Sequence, residues 1–272
     1  MHWYEGAAGA MNLVAEAEAL ARGAAAILSG FYGKLRRADA TAKGARRDLV
    51  SEADFAAQKY LLEHIPPADD VLSEEGASRS TGAARRWVVD PLDGTINFLH
   101  GMPNWCVSIG VVEKGALAAA AVVAPELRQV YTATAGGGAF CNGERIRVSE
   151  TRDIADSILA TGLAYRRNEL PDHNLDNITT LGFACADLRR MGAAAIDLCY
   201  VASGRIDGFW ELHLNAWDVA AGVLIVREAG GRVTDFRGSE KLEDILSGRH
   251  VLASNGLIHE QVRSRLAPLR GF

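Results

Sequence analysis

Apolar residues near the start of the chain recur at every third or fourth position: Leu13, Ala17, Leu20, Ala24, Ile27, Leu28 and Phe31. That period places them on one face of a helix and predicts an amphipathic segment over residues 11–31, punctuated by Gly30 and Gly33. A second helix is expected over residues 52–64, where Phe55, Tyr60, Leu61 and Leu62 supply the apolar positions before Pro66-Pro67 stop it. The pattern then changes to short apolar runs. Residues 87–90, 106–112, 117–124 and 129–132 read as strands, and Asn142-Gly143, between Ala139-Phe140 and residues 146–148, marks a type I′ hairpin. From about residue 153 strands and helices alternate: strands at 157–161 and 207–211, helices at 175–181 and 193–203. Asn215 is placed to cap a long helix carrying Trp217, Ala220, Ala221, Leu224, Ile225 and Glu228, which Gly230-Gly231 ends. A strand containing Val251-Leu252 and a helix over 258–269 complete the chain. The expected architecture is layered, with an α+β half over residues 1–152 and an α/β half over 153–272.

Composition narrows the class. At 272 residues and 49% hydrophobic the chain is long enough to bury a substantial core, as one large domain or two halves. Its net charge of -5 argues against a nucleic-acid partner, which would call for a basic surface. The Arg pairs at 36–37, 46–47, 85–86, 166–167 and 189–190 read mostly as solvated surface. Cys106, Cys141, Cys185 and Cys199 form no Cys-x-x-Cys pair, so buried free thiols are expected and neither a zinc site nor a disulfide framework is indicated. The longest apolar run, Ala116–Ala124, falls well short of the roughly 20 residues of a membrane span and reads as a buried strand. The first residues lack the basic start and apolar core of a secretory signal, which makes a cytoplasmic setting the expectation.

Candidate chemistry centres on Asp90-Pro91-Leu92-Asp93-Gly94-Thr95, where an apolar run feeds into two carboxylates and a Gly-Thr turn. Pro91 stiffens the turn and Gly94 permits a reversal, so closely spaced acids stand beside amides able to hold an anion. Hard divalent cations share oxygen ligands with phosphate, which suits such a layout. Taken alone, the same six residues also fit an ordinary surface turn. They do not fit the haloacid-dehalogenase phosphatases, whose two aspartates are two positions apart, whereas Asp90 and Asp93 are three apart.

Further acids decide between these readings. Residues 48–54, Glu74-Glu75, residues 90–97, Gly192-Ala193-Ala194, Glu211 and residues 217–231 follow one another in an order that resembles the inositol monophosphatase family, within the Mg²⁺-dependent, lithium-sensitive phosphatases that include fructose-1,6-bisphosphatase. The resemblance implies a layered αβαβα sandwich. It also implies two or three Mg²⁺ ions bound by Glu74, Asp90, Asp93, Asp218 and the main-chain carbonyl of Leu92. Attack of a metal-activated water on a phosphomonoester follows from it, with Glu74 and Thr95 orienting the water and Asp54 supporting Thr95. Gly94 and Thr95 would bind phosphate, Lys43 would stand near the site's mouth, and Gly192, Ala193, Ala194 and Glu211 would meet the alcohol half of the substrate.

A carboxylate such as Glu211 suits vicinal hydroxyls, favouring myo-inositol monophosphate; histidinol phosphate, sugar phosphates and phosphorylated nucleotides remain alternatives. A homodimer is expected from the resemblance only. A binding or regulatory protein on the same fold is the rival class, against which the repulsive acid cluster argues. Asp48 is read as a helix cap, and residues 163–172 as a pocket rim. The seven histidines contain no His-x-x-x-His pair and give a zinc hydrolase little support.

Overall fold

The computed structural model describes residues 2–43, 49–76, 78–170 and 172–266, with side chains from residue 12. In chain order, α1 (His2–Phe31), β1 (Thr41–Ala42), β2 (Leu49–Val50) and α2 (Glu52–His64) come first. Then follow β3 (Asp70–Ser73), β4 (Arg85–Asp93), α3 (Thr95–Leu99), β5 (Cys106–Glu113), β6 (Ala116–Ala124), β7 (Gln129–Thr134), β8 (Gly138–Cys141) and β9 (Glu144–Arg145). The remainder comprises β10 (Ile158–Thr161), α4 (Leu175–Gly182), β11 (Asp187–Arg189), α5 (Ala194–Ala202), β12 (Gly208–Leu212), α6 (Ala216–Glu228), β13 (Arg232–Thr234), α7 (Leu242–Leu246), β14 (His250–Ser254) and α8 (His259–Arg263).

Strands β3 to β9 form a seven-stranded sheet in sequence order, antiparallel except for the β3–β4 pair. A five-stranded mixed sheet runs β11-β10-β12-β14-β13. Side chains on successive strand residues leave opposite faces, and here each face meets a different core. Val107, Ile109 and Val111 of β5 pack with α1 and α2, as do Ala119, Ala121 and Val123 of β6. Ala120, Val122 and Ala124 turn the other way, towards α5 and α6. The second sheet repeats this division: Phe209, Val251 and Ala253 join α5 and α6, while Trp210, Leu212 and Leu252 meet α4 and α8. The result is five layers, αβαβα. Coverage on both faces explains the unbroken apolar run of β6, and the same logic explains α6, whose residues Val219 to Val226 are all buried between two sheets.

Close approach of α6 to the large sheet depends on Gly110. A Cβ there would lie 2.8 Å from the Ala220 Cβ and 3.0 Å from the Ala221 backbone nitrogen, and backbone cannot move aside as a side-chain tip can. Helix α6 in turn carries Asp218 in its first turn, so this contact sets one wall of the site described below.

Several expectations need adjustment. Helix α1 begins at His2, well before residue 11, and α8 ends at Arg263; residues 267–269 of the expected last helix lie outside the described residues. The hairpin is present, with positive φ at Asn142 and Gly143, but its return strand is Glu144–Arg145 because Cys141 pairs directly with Glu144 across the two-residue turn. Strands β3, β11 and β13 were not signalled by the apolar pattern, being short or half exposed. Asp48 lies outside the described residues, and the cap of α2 is Ser51, whose backbone nitrogen donates to Asp54 Oδ2 at 2.8 Å. Cys106 and Cys199 are buried free thiols, whereas Cys141 and Cys185 are only partly covered. Among the described residues no helix is long and apolar enough to cross a membrane.

Gly110→Ala is expected to destabilise the protein by about 1–3 kcal/mol through overpacking against α6. Thermal unfolding followed by circular dichroism checks this; an unchanged midpoint would contradict the close β5–α6 packing.

Candidate active site

Asp90 and Asp93 are three residues apart, a spacing that would send them to opposite faces of a regular strand. Register along β4 resolves this. Asp90 pairs with Ser108 and Asp93 with Cys106, so the β4 side holds one residue more than its partner, and this bulge turns both carboxylates to one side. The Leu92 backbone nitrogen donates to Asp90 Oδ1 at 2.9 Å and fixes the bend. Immediately after it Gly94 adopts φ 90°, and a Cβ there would lie 2.7 Å from the Asn104 carbonyl oxygen, so only glycine fits.

Around this turn opens a cavity of about 200 Å³. Its wall contains Lys43, Glu74, Asp90, Leu92, Asp93, Gly94, Thr95, Gly192, Ala194, Glu211 and Asp218, which the sequence scatters over more than 170 positions. Two other expected site residues stand behind the wall. Asp54, on α2, accepts hydrogen bonds from the Ser51 backbone nitrogen at 2.8 Å and Ser51 Oγ at 2.6 Å, and its Oδ1 lies 3.4 Å from Thr95 Oγ1. Ala193 is buried behind the cavity wall, with its Cβ against Gly94. Thr95 Oγ1 also lies 3.2 Å from the Leu92 carbonyl oxygen. The Leu92 carbonyl can only accept, and so can Asp54 when ionised; in that state the hydroxyl proton points back into the protein and the oxygen lone pairs remain for the cavity.

The acids are held by local donors. Asp93 Oδ2 accepts from the Ala195 backbone nitrogen at 2.8 Å, joining the bulge to the start of α5. Asp218 Oδ2 accepts from the Asn215 nitrogen at 2.6 Å in the expected cap of α6. Glu74 accepts from Lys43 Nζ at 2.8 Å, and the same ammonium bonds Glu75. Burial would lower the Lys43 pKa, but the two glutamates outweigh it and hold the ammonium charged. Desolvation, followed by repulsion from neighbouring acids, pushes Asp90 and Asp218 well above the carboxylate range. Burial raises Asp93 to about 7 despite the Ala195 hydrogen bond, and raises Glu211 to about 8 despite Arg190.

No three His, Cys, Asp or Glu side chains among the described residues stand in ligating geometry. At least one oxygen on each of these four acids is engaged by a nearby N–H. The donor set itself fits a hard divalent cation, since four carboxylates and the Leu92 carbonyl are all oxygen donors around one cavity with no thiolate or imidazole among them.

Further wall residues escaped sequence reasoning. Arg190, read as half of a solvated pair, lines the site and lies against Gly192 at φ 88°, where a Cβ would crowd the guanidinium. His213, Leu214 and Asn215 come from the β12–α6 connection, Trp217 from the first turn of α6, and Leu163, Ala164 and Tyr165 from the expected rim. Proximity to Glu211 and Asp218 was the available signal for the first four, and Tyr165 falls within the segment 163–172 already read as a pocket rim.

A model of the inositol monophosphatase family matches residues 11–269. The inositol-1-monophosphatase of Rhizobium meliloti is 41% identical over 214 residues, 77% of this chain and 80% of its own length. The "Nus factor SuhB" of Pasteurella multocida is 40% identical over 225 residues, 81% of this chain and 83% of its own. The solved inositol monophosphatase of Anabaena superposes with a TM-score of 0.83 at 34% identity, covering 95% of this chain and 98% of that one.

An acid whose pKa is raised by folding binds more protons in the folded state, so its contribution to stability is full at low pH and is lost as pH rises towards the folded value. For Asp93 that window runs from 3.8 to about 7, and for Glu211 from 4.5 to about 8. In a chelator, urea unfolding is therefore expected to show falling stability from pH 5 to 8, with a shallower fall in Asp93→Asn. Identical slopes for both proteins would contradict the burial of an ionisable Asp93.

Proposed function

The chain belongs to the inositol monophosphatase family and is a phosphatase of that superfamily; on that premise we propose that it hydrolyses a small polyol phosphate, with myo-inositol monophosphate as the substrate, using Mg²⁺. The observation that carries this reading is the Thr95 hydroxyl, backed by Asp54 and open to a cavity ringed by Glu74, Asp90, Asp93 and Asp218. Glu74, Asp90, Asp93, Asp218 and the Leu92 carbonyl would hold the metal. When bound, it would supply positive charge for the phosphate oxygens and Lewis acidity towards water.

The chain's own groups do the rest. Thr95 Oγ, its proton committed to the protein interior, accepts a hydrogen bond from the attacking water and orients it towards phosphorus. Glu74 shares in receiving the proton, and Lys43 steadies its charge. The Gly94 and Thr95 amides receive phosphate oxygens at the turn that Gly94 makes possible. No covalent phosphoenzyme is required, because water is the nucleophile. Glu211 accepts hydrogen bonds from hydroxyls of the alcohol half, across the cavity from Gly192 and Ala194.

The relative called a Nus factor supports a second, non-catalytic role of the binding-protein class. The concentrated buried acids favour catalysis, since a surface used only for binding gains nothing from their repulsion.

Phosphate release is expected from inositol monophosphates in preference to histidinol phosphate, fructose 1,6-bisphosphate and 3′-phosphoadenosine phosphates. It should disappear in chelator and nearly disappear in Asp93→Asn, whose fold is preserved by circular dichroism. Undiminished turnover in that variant would overturn the assigned roles, and preference for another ester would overturn the substrate.

A further inference from the structure

Glu211 is followed two residues later by His213, and both line the cavity. His213 takes φ 61°, uncommon for a residue with a side chain, and its backbone is pinned there. The His213 nitrogen donates to the Arg249 carbonyl at 2.7 Å and the Leu214 nitrogen to the Gly248 carbonyl at 2.8 Å. The imidazole Nε2 lies 2.9 Å from the Asp172 carbonyl oxygen. A carbonyl can only accept, so Nε2 carries the hydrogen and Nδ1 of the neutral ring is an acceptor.

Asp172 belongs to the connection between β10 and α4, a crossing segment from sheet to helix whose first residues line the cavity. At its start Gly162 lies so close to Glu211 that a Cβ would overlap the carboxylate, and Leu163, Ala164 and Tyr165 follow along the wall. At its end the buried Asn174 closes the base: its Nδ2 donates to Thr161 Oγ1 at 2.9 Å and to the Gly162 carbonyl at 2.7 Å, while its Oδ1 accepts from Trp210 Nε1 at 2.8 Å. Between those fixed points, the His213 bond to Asp172 ties the crossing segment to the connection that follows Glu211.

We propose that His213 is a recognition residue for the alcohol half of the substrate, holding the crossing segment through the Asp172 carbonyl and accepting a hydrogen bond from a substrate hydroxyl at Nδ1. This rests on the polyol reading above. Glu211 and His213 then form a pair of acceptors for neighbouring hydroxyls, and Arg190, on the same wall, donates to a hydroxyl oxygen. An ester whose alcohol half carries no further hydroxyls leaves these groups without partners and gains nothing from them.

Kinetics of the full-length protein with Mg²⁺ test this, using myo-inositol 1-phosphate and 4-nitrophenyl phosphate as esters with and without neighbouring hydroxyls. Glycine accommodates the positive φ, so His213→Gly removes the imidazole without backbone strain. The expected result is a rise of about ten-fold in the ratio of KM for the inositol ester to KM for the nitrophenyl ester, with kcat changing less than KM. His213→Asn, which tolerates the same backbone and keeps a donor and an acceptor, should recover most of that ratio. An unchanged ratio in His213→Gly, with the wild-type preference for inositol phosphate intact, would overturn the role of His213 alone. A wild-type protein that favours the nitrophenyl ester would overturn the polyol reading and this inference with it.

Discussion

Mutual repulsion among buried acids is the constraint around which this structure is organised. Two unit charges 5 Å apart repel by about 3 kcal/mol at an effective dielectric constant of about 20, and a fold is held by only about 5–15 kcal/mol in total. Several such pairs cannot be left unbalanced. The protein offsets them with an N–H group on each of Glu74, Asp90, Asp93 and Asp218, the one on Glu74 being the Lys43 ammonium, and burial and repulsion raise the carboxyl pKa values of Asp90, Asp93 and Asp218. A divalent cation held by the same oxygens would offset their repulsion, which is why the donor set reads as a metal site.

The layers exist in the form that brings these acids together. Helix α6 is apolar on every side because it lies between two sheets, and that burial fixes the start of the helix, where Asp218 stands. Gly110 lets it approach β5, the strand that pairs with the Asp90–Asp93 bulge. Helix α5 delivers the Ala195 amide to Asp93. Thr95 is braced by Asp54 on α2. The outer layer, through α2, and the central layer, through α5, therefore each contribute a contact to the same turn.

Much of this was legible in the residues. Apolar period identified α1, α2 and strands β4 to β7 of the large sheet, and the Asn215 cap and Gly230 stop located α6, because those signals are local. The carboxylates were legible as a set because their order along the chain resembles a family, while their convergence depends on a bulge that no single-residue preference announces. Arg190 and His213 were missed for a related reason. Their direction is set by backbone turns at Gly192 and at His213 itself, and a charged or aromatic side chain beside a turn looks the same in sequence whether it faces water or a cavity. The short strands β11 and β13 take their place from pairing with β10 and β14, a non-local effect.

Calorimetric titration of the metal-free protein with Mg²⁺ at pH 7, in two buffers of different ionisation enthalpy, bears most directly on the balance between protons and cation. The account predicts binding accompanied by net release of protons to the buffer, because the raised carboxyl groups must ionise to take the metal, and a weaker release in Asp93→Asn. Binding heats identical in the two buffers, or no binding in the wild type, would contradict it.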